Sequence, residues 1–162
     1  MLTLNSQGKT LSSSKPLIMG ILNVTPDSFY QKSRVTAVSE ALDLTGKMLE
    51  EGATIIDIGG QSTRPGAEAI DANEELDRIG IVIEAVVKQF PNLFISVDTY
   101  HSKVAKQVVQ LGAHIINDIS GGQYDAQMFS TIAALNVPYV VMHVNENKDE
   151  MHRIKNDAGI MP

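Results

Sequence analysis

Five short apolar segments alternate with amphipathic segments along most of this sequence, and this alternation is the strongest constraint on its fold. Strands are predicted over residues 17–22, 53–58, 93–97, 114–117 and 137–142, and helices over residues 37–51, 72–89, 101–111 and 125–135. Strands that are apolar on both faces are typical of a buried parallel sheet. The alternation therefore predicts consecutive βαβ units. Residues 2–11, which alternate weakly around a polar turn, predict a small antiparallel hairpin ahead of them.

The segments before and after each predicted strand differ in length and polarity. Those before the strands are short, such as Glu51–Gly52 and Pro91–Asn92, whereas those after the strands are longer and richer in polar groups. This asymmetry favours a (β/α) TIM-barrel type of α/β fold, with its site at the carboxyl ends of the strands. An open doubly wound sheet follows the same rule, with the site at a switch point in strand order, and stays open as an alternative.

Composition narrows the classes of function. The 162 residues include no cysteine, which excludes a disulfide framework and a thiolate nucleophile, and the net charge of −6 argues against nucleic acid as a partner. No apolar run approaches the length of a membrane span, and residues 1–5 lack the features of a signal peptide. We therefore expect a soluble, cytoplasmic protein with no membrane partner.

Each predicted strand ends at a polar or ionisable residue. The five positions are Asn23, Asp57, Asp98, Asn117 and His143. Since the carboxyl ends of parallel strands meet at one edge of a sheet, the pattern favours a shared pocket over separate roles in turns and caps.

Individual positions also have structural interpretations. Asp57 lies inside its strand pattern and reads as a buried, hydrogen-bonded structural carboxylate. Asp118 is placed to hold the loop that follows it, and a lone histidine such as His143 is more often structural than catalytic.

The loop after the second predicted strand suits an anionic group. Arg64 lies in a glycine-rich segment beside the hydroxyls of Ser62 and Thr63, and a guanidinium with such neighbours is suited to a diphosphate. Neither the Walker phosphate loop nor the Rossmann glycine fingerprint is present. The amide oxygen of Asn23 is an acceptable ligand for Mg²⁺, which commonly takes one or two protein oxygens and completes its shell with water and substrate phosphate.

Two long motifs, residues 19–29 (MGILNVTPDSF) and 52–66 (GATIIDIGGQSTRPG), resemble the signatures of the dihydropteroate synthase family. Residues 96–99, 116–122 and 142–143 resemble the next strand ends of that family in the right order. The resemblance implies a TIM-barrel transferase of folate biosynthesis. It would join (7,8-dihydropterin-6-yl)methyl diphosphate to 4-aminobenzoate and release diphosphate.

The resemblance also implies roles for single residues. Asn23, Arg64 and Asp98 correspond to catalytic groups, and Asn23 also to the residue that contacts magnesium. Among the substrate-binding positions that it implies, Thr63 and Arg64 lie at the diphosphate and aminobenzoate side. Asp98 and Asn117 are the pair that binds the pterin, and Met142 is a wall of the pterin pocket. Phe29 and Pro65 lie in loops around aminobenzoate.

The sequence departs from the family pattern in two places. Gln31, Lys32 and Ser33 stand where the family has an acidic residue followed by glycines, so loop closure is expected to differ. The strand pattern also stops after five strands, which predicts an incomplete barrel within one pterin-binding domain (1–162) that ends in an atypical polar tail, 144–162. A truncated synthase, a half-barrel completed in a homodimer and a non-catalytic pterin-binding or diphosphate-binding module remain open.

We expect weak or no synthase activity from this chain alone, because counterparts of the family's later aspartate, lysine and arginine–histidine positions are missing. A folate-dependent methyltransferase that shares the pterin-binding barrel is a further alternative.

Overall fold

The fold is a parallel sheet whose strands follow one another in chain order. The computed structural model of the protein describes residues 1–24, 34–61 and 69–143. In chain order these residues form β1 (Leu2–Ser6), β2 (Lys9–Ser13), β3 (Met19–Asn23), α1 (Arg34–Glu50), β4 (Ile55–Gly59), α2 (Ala72–Gln89), β5 (Phe94–Asp98), α3 (Ser102–Gln110), β6 (Ile115–Asp118), α4 (Met128–Leu135) and β7 (Tyr139–Val141).

Strand order decides between the two sheet types that the sequence allows. The described strands β3 to β7 form one five-stranded parallel sheet in the order β3-β4-β5-β6-β7. A doubly wound sheet reverses its order at a switch point, and this order never reverses. Successive helices pack on one another, α1 on α2, α2 on α3 and α3 on α4, which places them on one face. The predicted barrel-type arrangement of five parallel strands is confirmed.

The main core lies between the sheet and these helices. Side chains of alternate strand residues point toward the helices and are almost completely buried, including Leu22, Ile56, Ile58, Ile95 and Val97. Helix α2 faces them with Ile79, Val82, Ile83 and Val86, all of them inaccessible to solvent. The intervening strand residues face the other side of the sheet, which corresponds to the interior of a barrel. We call this side the inner face.

The predicted hairpin is present as β1 and β2, which pair antiparallel over residues 2–13. It covers the amino-terminal end of the sheet. Ile55, Phe94 and Ile115 at this end are buried, and Leu4, Leu11 and Leu17 pack against them. Gln7 holds the hairpin in place, since its Nε2 donates to the carbonyl oxygens of Val109 at 2.8 Å and Ala113 at 2.7 Å.

Helix α4 begins at Met128 rather than at residue 125, where the sequence pattern places it. The reason is that Asp125 serves another helix. Its carboxylate accepts from the backbone N–H of Ser102, the first residue of α3, at 2.7 Å and from that of Gln127 at 2.9 Å. The residues before α4 therefore form a turn that caps α3, whose own N-cap residue, His101, makes no side-chain cap.

None of the helices within the described residues is both long and apolar enough to cross a lipid bilayer.

The contacts of Gln7 generate a test of the hairpin's role. Changing Gln7→Ala removes two hydrogen bonds between the hairpin and the α3–β6 region, so the free energy of unfolding should fall by about 1–2 kcal/mol. Urea denaturation, monitored by circular dichroism, measures this free energy. Thr3→Ala, which removes only an exposed contact within the hairpin, is the matched control. Equal stabilities for the two variants would contradict this assignment.

Candidate active site

The parallel register brings three of the predicted site residues into one row. Asn23 pairs with Gly59, Gly59 with Asp98 and Asp98 with Asn117. Paired residues of neighbouring strands point to the same side of a sheet, so this row lies on the inner face at the carboxyl ends of the strands. We call it the upper row. Val140 of β7 continues it beside Asn117.

Gly59 leaves an open space in the middle of the upper row. A Cβ atom at this position would lie 3.7 Å from Oδ1 of Asn23, 3.7 Å from Oδ2 of Asp98 and 3.5 Å from Cβ of Asp98. The amide oxygen and the carboxylate oxygen thus approach the same space from two sides. A small polar ligand entering there meets acceptor groups from both neighbouring strands.

A second row lies one step below, toward the amino-terminal end of the sheet. Ile21, Asp57, Ser96 and Ile115 are paired in it. Asp57 is only 6% exposed and Ser96 is inaccessible to solvent. Asp57 is connected to the upper row, because Nδ2 of Asn117 donates to Oδ2 of Asp57 at 2.9 Å. Asp57 is thus buried and hydrogen-bonded, as the sequence predicts. Its partner in the hydrogen bond is Asn117, a predicted pterin-binding residue.

The inner face is electrostatically unusual. Burial, together with the negative charges of Asp57 and Asp118, raises the pKa of the Asp98 carboxyl to about 7. A carboxyl with such a pKa gains from a ligand that donates hydrogen bonds to it, because those bonds stabilise the charged form. A strongly raised carboxyl pKa makes Asp98 a candidate functional residue.

Asp118 has the structural role that the sequence predicts. It is inaccessible to solvent and accepts from the backbone N–H of Ser120 at 2.8 Å, from that of Gly122 at 3.0 Å and from the Tyr139 hydroxyl at 2.6 Å. Burial and this hydrogen bond raise the pKa of Tyr139. The carboxylate of Asp118 therefore shapes the loop between β6 and α4 and ties it to β7.

Helix α2 supports the two central strand ends through residues that the sequence analysis missed. Glu75 is 1% exposed and accepts from the hydroxyl of Thr99, directly after Asp98, at 2.9 Å. Arg78, one turn on, donates from Nη1 to the carbonyl oxygen of Gly60 at 3.1 Å. Gly60 packs so closely on the helix that a Cβ there would lie 2.8 Å from Ile79 and 3.2 Å from Glu75. One helix therefore fixes the ends of both β4 and β5.

A signal for Glu75 exists in the sequence. It lies four residues before Ile79, so it occupies the apolar face of an otherwise amphipathic helix. Asp71 caps the start of α2, because its Oδ1 accepts from the backbone N–H of Asn73 and Glu74. The Glu74 side chain pairs with Arg78, in place of the return bond that a complete capping box makes.

The remaining predicted site residues are divided by position. Phe29, Thr63, Arg64 and Pro65 lie outside the described residues. Met142 follows β7 and is 36% exposed, two positions beyond Val140 of the upper row. Its carbonyl oxygen packs against the β6–α4 loop, since a Cβ on Gly121 would clash with it. His143, next in the chain, is exposed.

The upper row fits a magnesium ion only in part. No cluster of three histidine, cysteine or acidic side chains in residues 1–24, 34–61 and 69–143 is arranged to hold a metal ion. Asn23 Oδ1 and Asp98 Oδ2 are hard oxygen donors on the same side of the sheet. Such a donor set suits Mg²⁺ that keeps most of its shell for water and substrate phosphate, and it does not form a complete protein site.

Comparison with known proteins gives this arrangement a family. Residues 19–160 match the family described as pterin binding enzyme. The chain belongs to this family. A relative in Bacillus subtilis, named dihydropteroate synthase, is 50% identical over 129 residues, which are 80% of this chain and 45% of that protein. A second, the pea mitochondrial folate synthesis bifunctional protein, is 49% identical over 146 residues, 89% of this chain and 28% of that protein.

A solved structure supports the assignment to the pterin-binding family. This chain is similar to the Xanthomonas albilineans dihydropteroate synthase with 4-aminobenzoic acid, with a TM-score of 0.80 and 42% identity, and the match covers 88% of this chain and 52% of that one. The chain thus spans about half the length of this synthase, and of the Bacillus relative.

The burial of Glu75 generates a prediction about stability and pH. Burial raises the pKa of its carboxyl from 4.5 to about 7, so the folded protein holds a proton that the unfolded chain releases between these values. Its contribution is therefore most favourable below pH 4.5 and is lost as the pH rises to 7. Glu75→Gln, which stays neutral and keeps an acceptor for Thr99, should be more stable than the parent at pH 8 by on the order of 1–2 kcal/mol.

Thermal and urea unfolding between pH 4 and pH 8 measure this difference. The curves of the two proteins should converge at the acid end and separate as the pH rises to 7. Glu84→Gln, an exposed substitution on the same helix, is the control and should show no such separation. A constant difference between Glu75→Gln and the parent at all pH values would refute the prediction.

Proposed function

We propose that the protein acts in folate biosynthesis as a dihydropteroate synthase or part of one. The reaction joins (7,8-dihydropterin-6-yl)methyl diphosphate to 4-aminobenzoate and releases diphosphate. The observation that carries the proposal is the upper row, in which Asn23, Asp98 and Asn117 lie side by side around the space left by Gly59. The family and the relatives named above support the choice of substrate.

The acceptors of the upper row suit a pterin ring. Its pyrimidine edge carries several N–H donors, and the Asp98 carboxylate can accept two of them in parallel. The amide of Asn117 adds one further hydrogen-bonding group at the same level of the sheet. Because these acceptors lie in a partly desolvated space, each bond to the ring counts for more than it would in water.

The diphosphate end belongs to a different part of the site. Thr63 and Arg64, which the family resemblance assigns to this end, come four and five positions after Gly59, the last residue of β4 and a member of the upper row. In the proposed reaction the arylamine nitrogen attacks the methylene carbon as the carbon–oxygen bond to diphosphate breaks. No protein nucleophile takes part, so the chain's task is to orient the ring and to stabilise the negative charge of the leaving group.

Magnesium is part of the proposal. Asn23 would hold it through its amide oxygen, and the ion would supply positive charge to the departing diphosphate. The homodimer and the cytoplasmic location stay predictions.

A second candidate function is binding without turnover. The upper row suits it as well, because its hydrogen-bonding groups can hold a ring whether or not a reaction follows. Calorimetric titration with the pterin diphosphate and Mg²⁺, beside a condensation assay with 4-aminobenzoate, separates the two. Binding without product supports the binding module. Binding of a folate methyl donor but not of the diphosphate would indicate a methyltransferase.

Asp98 provides the direct test of the pterin site. Asp98→Asn replaces one acceptor oxygen with a donor, so the dissociation constant for the pterin diphosphate should rise at least about tenfold. Isothermal titration measures it. Asp43→Asn, an exposed change of the same type on α1, should bind like the parent. Equal affinity in both variants would show that the upper row is not the pterin site.

Asn23 tests the assignment of the metal. Asn23→Ala should lower the affinity for the pterin diphosphate in the presence of Mg²⁺ and remove the dependence of that affinity on the ion. Binding of 6-hydroxymethylpterin, which lacks the diphosphate, serves as the internal control and should change by less than about threefold. If both ligands lose affinity equally, Asn23 contacts the ring and does not hold the ion.

A further inference from the structure

Asp57 is a buried carboxylate that the proposed reaction does not use. It belongs to the second row, beneath the upper row, and is 6% exposed. Within the described residues its hydrogen bonding is one-sided. Oδ2 accepts from Asn117, whereas Oδ1 is buried and has no partner there. A buried carboxylate with a purely structural role normally has both oxygens satisfied.

The bond between Asp57 and Asn117 determines which way the Asn117 amide faces. A carboxylate only accepts hydrogen bonds, so it pairs with the NH₂ end of the amide and repels the carbonyl end. With Nδ2 held 2.9 Å from Asp57, Oδ1 of Asn117 is turned away from it. This oxygen is also buried and has no hydrogen-bond partner among the residues of the described ranges.

An amide oxygen that is shielded from water and unpaired is unfavourable until a donor reaches it. We propose that Asp57 is a positioning residue, whose carboxylate fixes the Asn117 amide so that its oxygen is kept as an acceptor for an N–H group of the bound pterin. This inference rests on the proposed function, because it takes the upper row as the pterin site. It assigns to Asp57 no contact with the substrate.

Neighbouring groups do not provide the same control. Ser96, the partner of Asp57 in β5, has a buried hydroxyl that is unpaired within the described part of the chain. Among residues 1–24, 34–61 and 69–143, the Asn117 amide therefore receives its orientation from one carboxylate through a single hydrogen bond. Removal of that carboxylate leaves both orientations of the amide accessible, and one of them presents a donor where the ligand also presents a donor.

The binding test uses pterin itself as the probe, with the full chain. Asp57→Ala should raise the dissociation constant about tenfold, whereas Asp57→Asn, which keeps an acceptor of the same shape, should stay within about threefold of the parent. Ser96→Ala is the matched control in the same row and should not change the affinity. Circular dichroism confirms folding. Should Asp57→Ala not fold, Asp57→Ser replaces it, because its shorter hydroxyl cannot reach the amide.

A double-mutant cycle separates positioning from a general structural effect. If Asp57 acts through Asn117, the variant that combines Asp57→Ala with Asn117→Ala should bind pterin as weakly as Asn117→Ala alone. Losses that add would overturn the inference. Equal affinity of Asp57→Ala and the parent, or equal loss in Asp57→Ala and Asp57→Asn, would also overturn it.

A measurement without ligand keeps this inference separate from the proposed function. The side-chain NH₂ protons of Asn117, observed by NMR, should exchange slowly in the parent and in Asp57→Asn and quickly in Asp57→Ala. If the parent binds no pterin, the proposed function falls while the exchange rates still decide the positioning of the amide. Identical exchange in all three proteins would overturn it.

Discussion

The hydrogen-bond register between parallel strands is the constraint on which the rest of this structure depends. Each strand pairs with the next in a register that keeps corresponding side chains on the same face. Residues far apart in the chain therefore come together in one row: Asn23 and Asp98, 75 positions apart, lie on either side of Gly59. A shift by one residue would turn every side chain of a strand to the other face. The buried isoleucines and valines on the side of the sheet that faces the helices oppose such a shift, so the hydrophobic core also sets the geometry of the inner face.

Helix α2 adds a second level of control. Register places residues in a row but does not fix the segments that leave the strands. Glu75 and Arg78 do this from one helical turn, the former through Thr99 after β5 and the latter through Gly60 after β4. The arrangement requires that the Glu75 carboxyl be buried. Its raised pKa reflects the unfavourable free energy of removing the charged form from water. A buried polar group of this kind is consistent with a demand for defined geometry at the site.

The sequence predicts the regular parts of the fold because their signals are local. Apolar runs and helical stripes depend on residues within one or two turns, and the structure contains both. Strand-end polarity also indicated that Asn23, Asp98 and Asn117 belong together, since parallel strands share an edge. The bond between Asp57 and Asn117 spans 60 positions. No local pattern specifies this bond. The same is true of the capping of α3 by Asp125, which lies 23 residues after the start of that helix.

The hairpin has a consequence that concerns how this fold can change. It packs on Ile55 and Phe94 at the lower ends of β4 and β5, while Gly59 and Asp98, which belong to the upper row, are the last residues of the same strands. Each strand therefore meets two separate demands within five residues. Substitutions at the amino-terminal ends of these strands alter the stability of the domain, and substitutions at their carboxyl ends alter which ligand it binds. Such a division lets new ligand preferences arise without a simultaneous loss of the folded state.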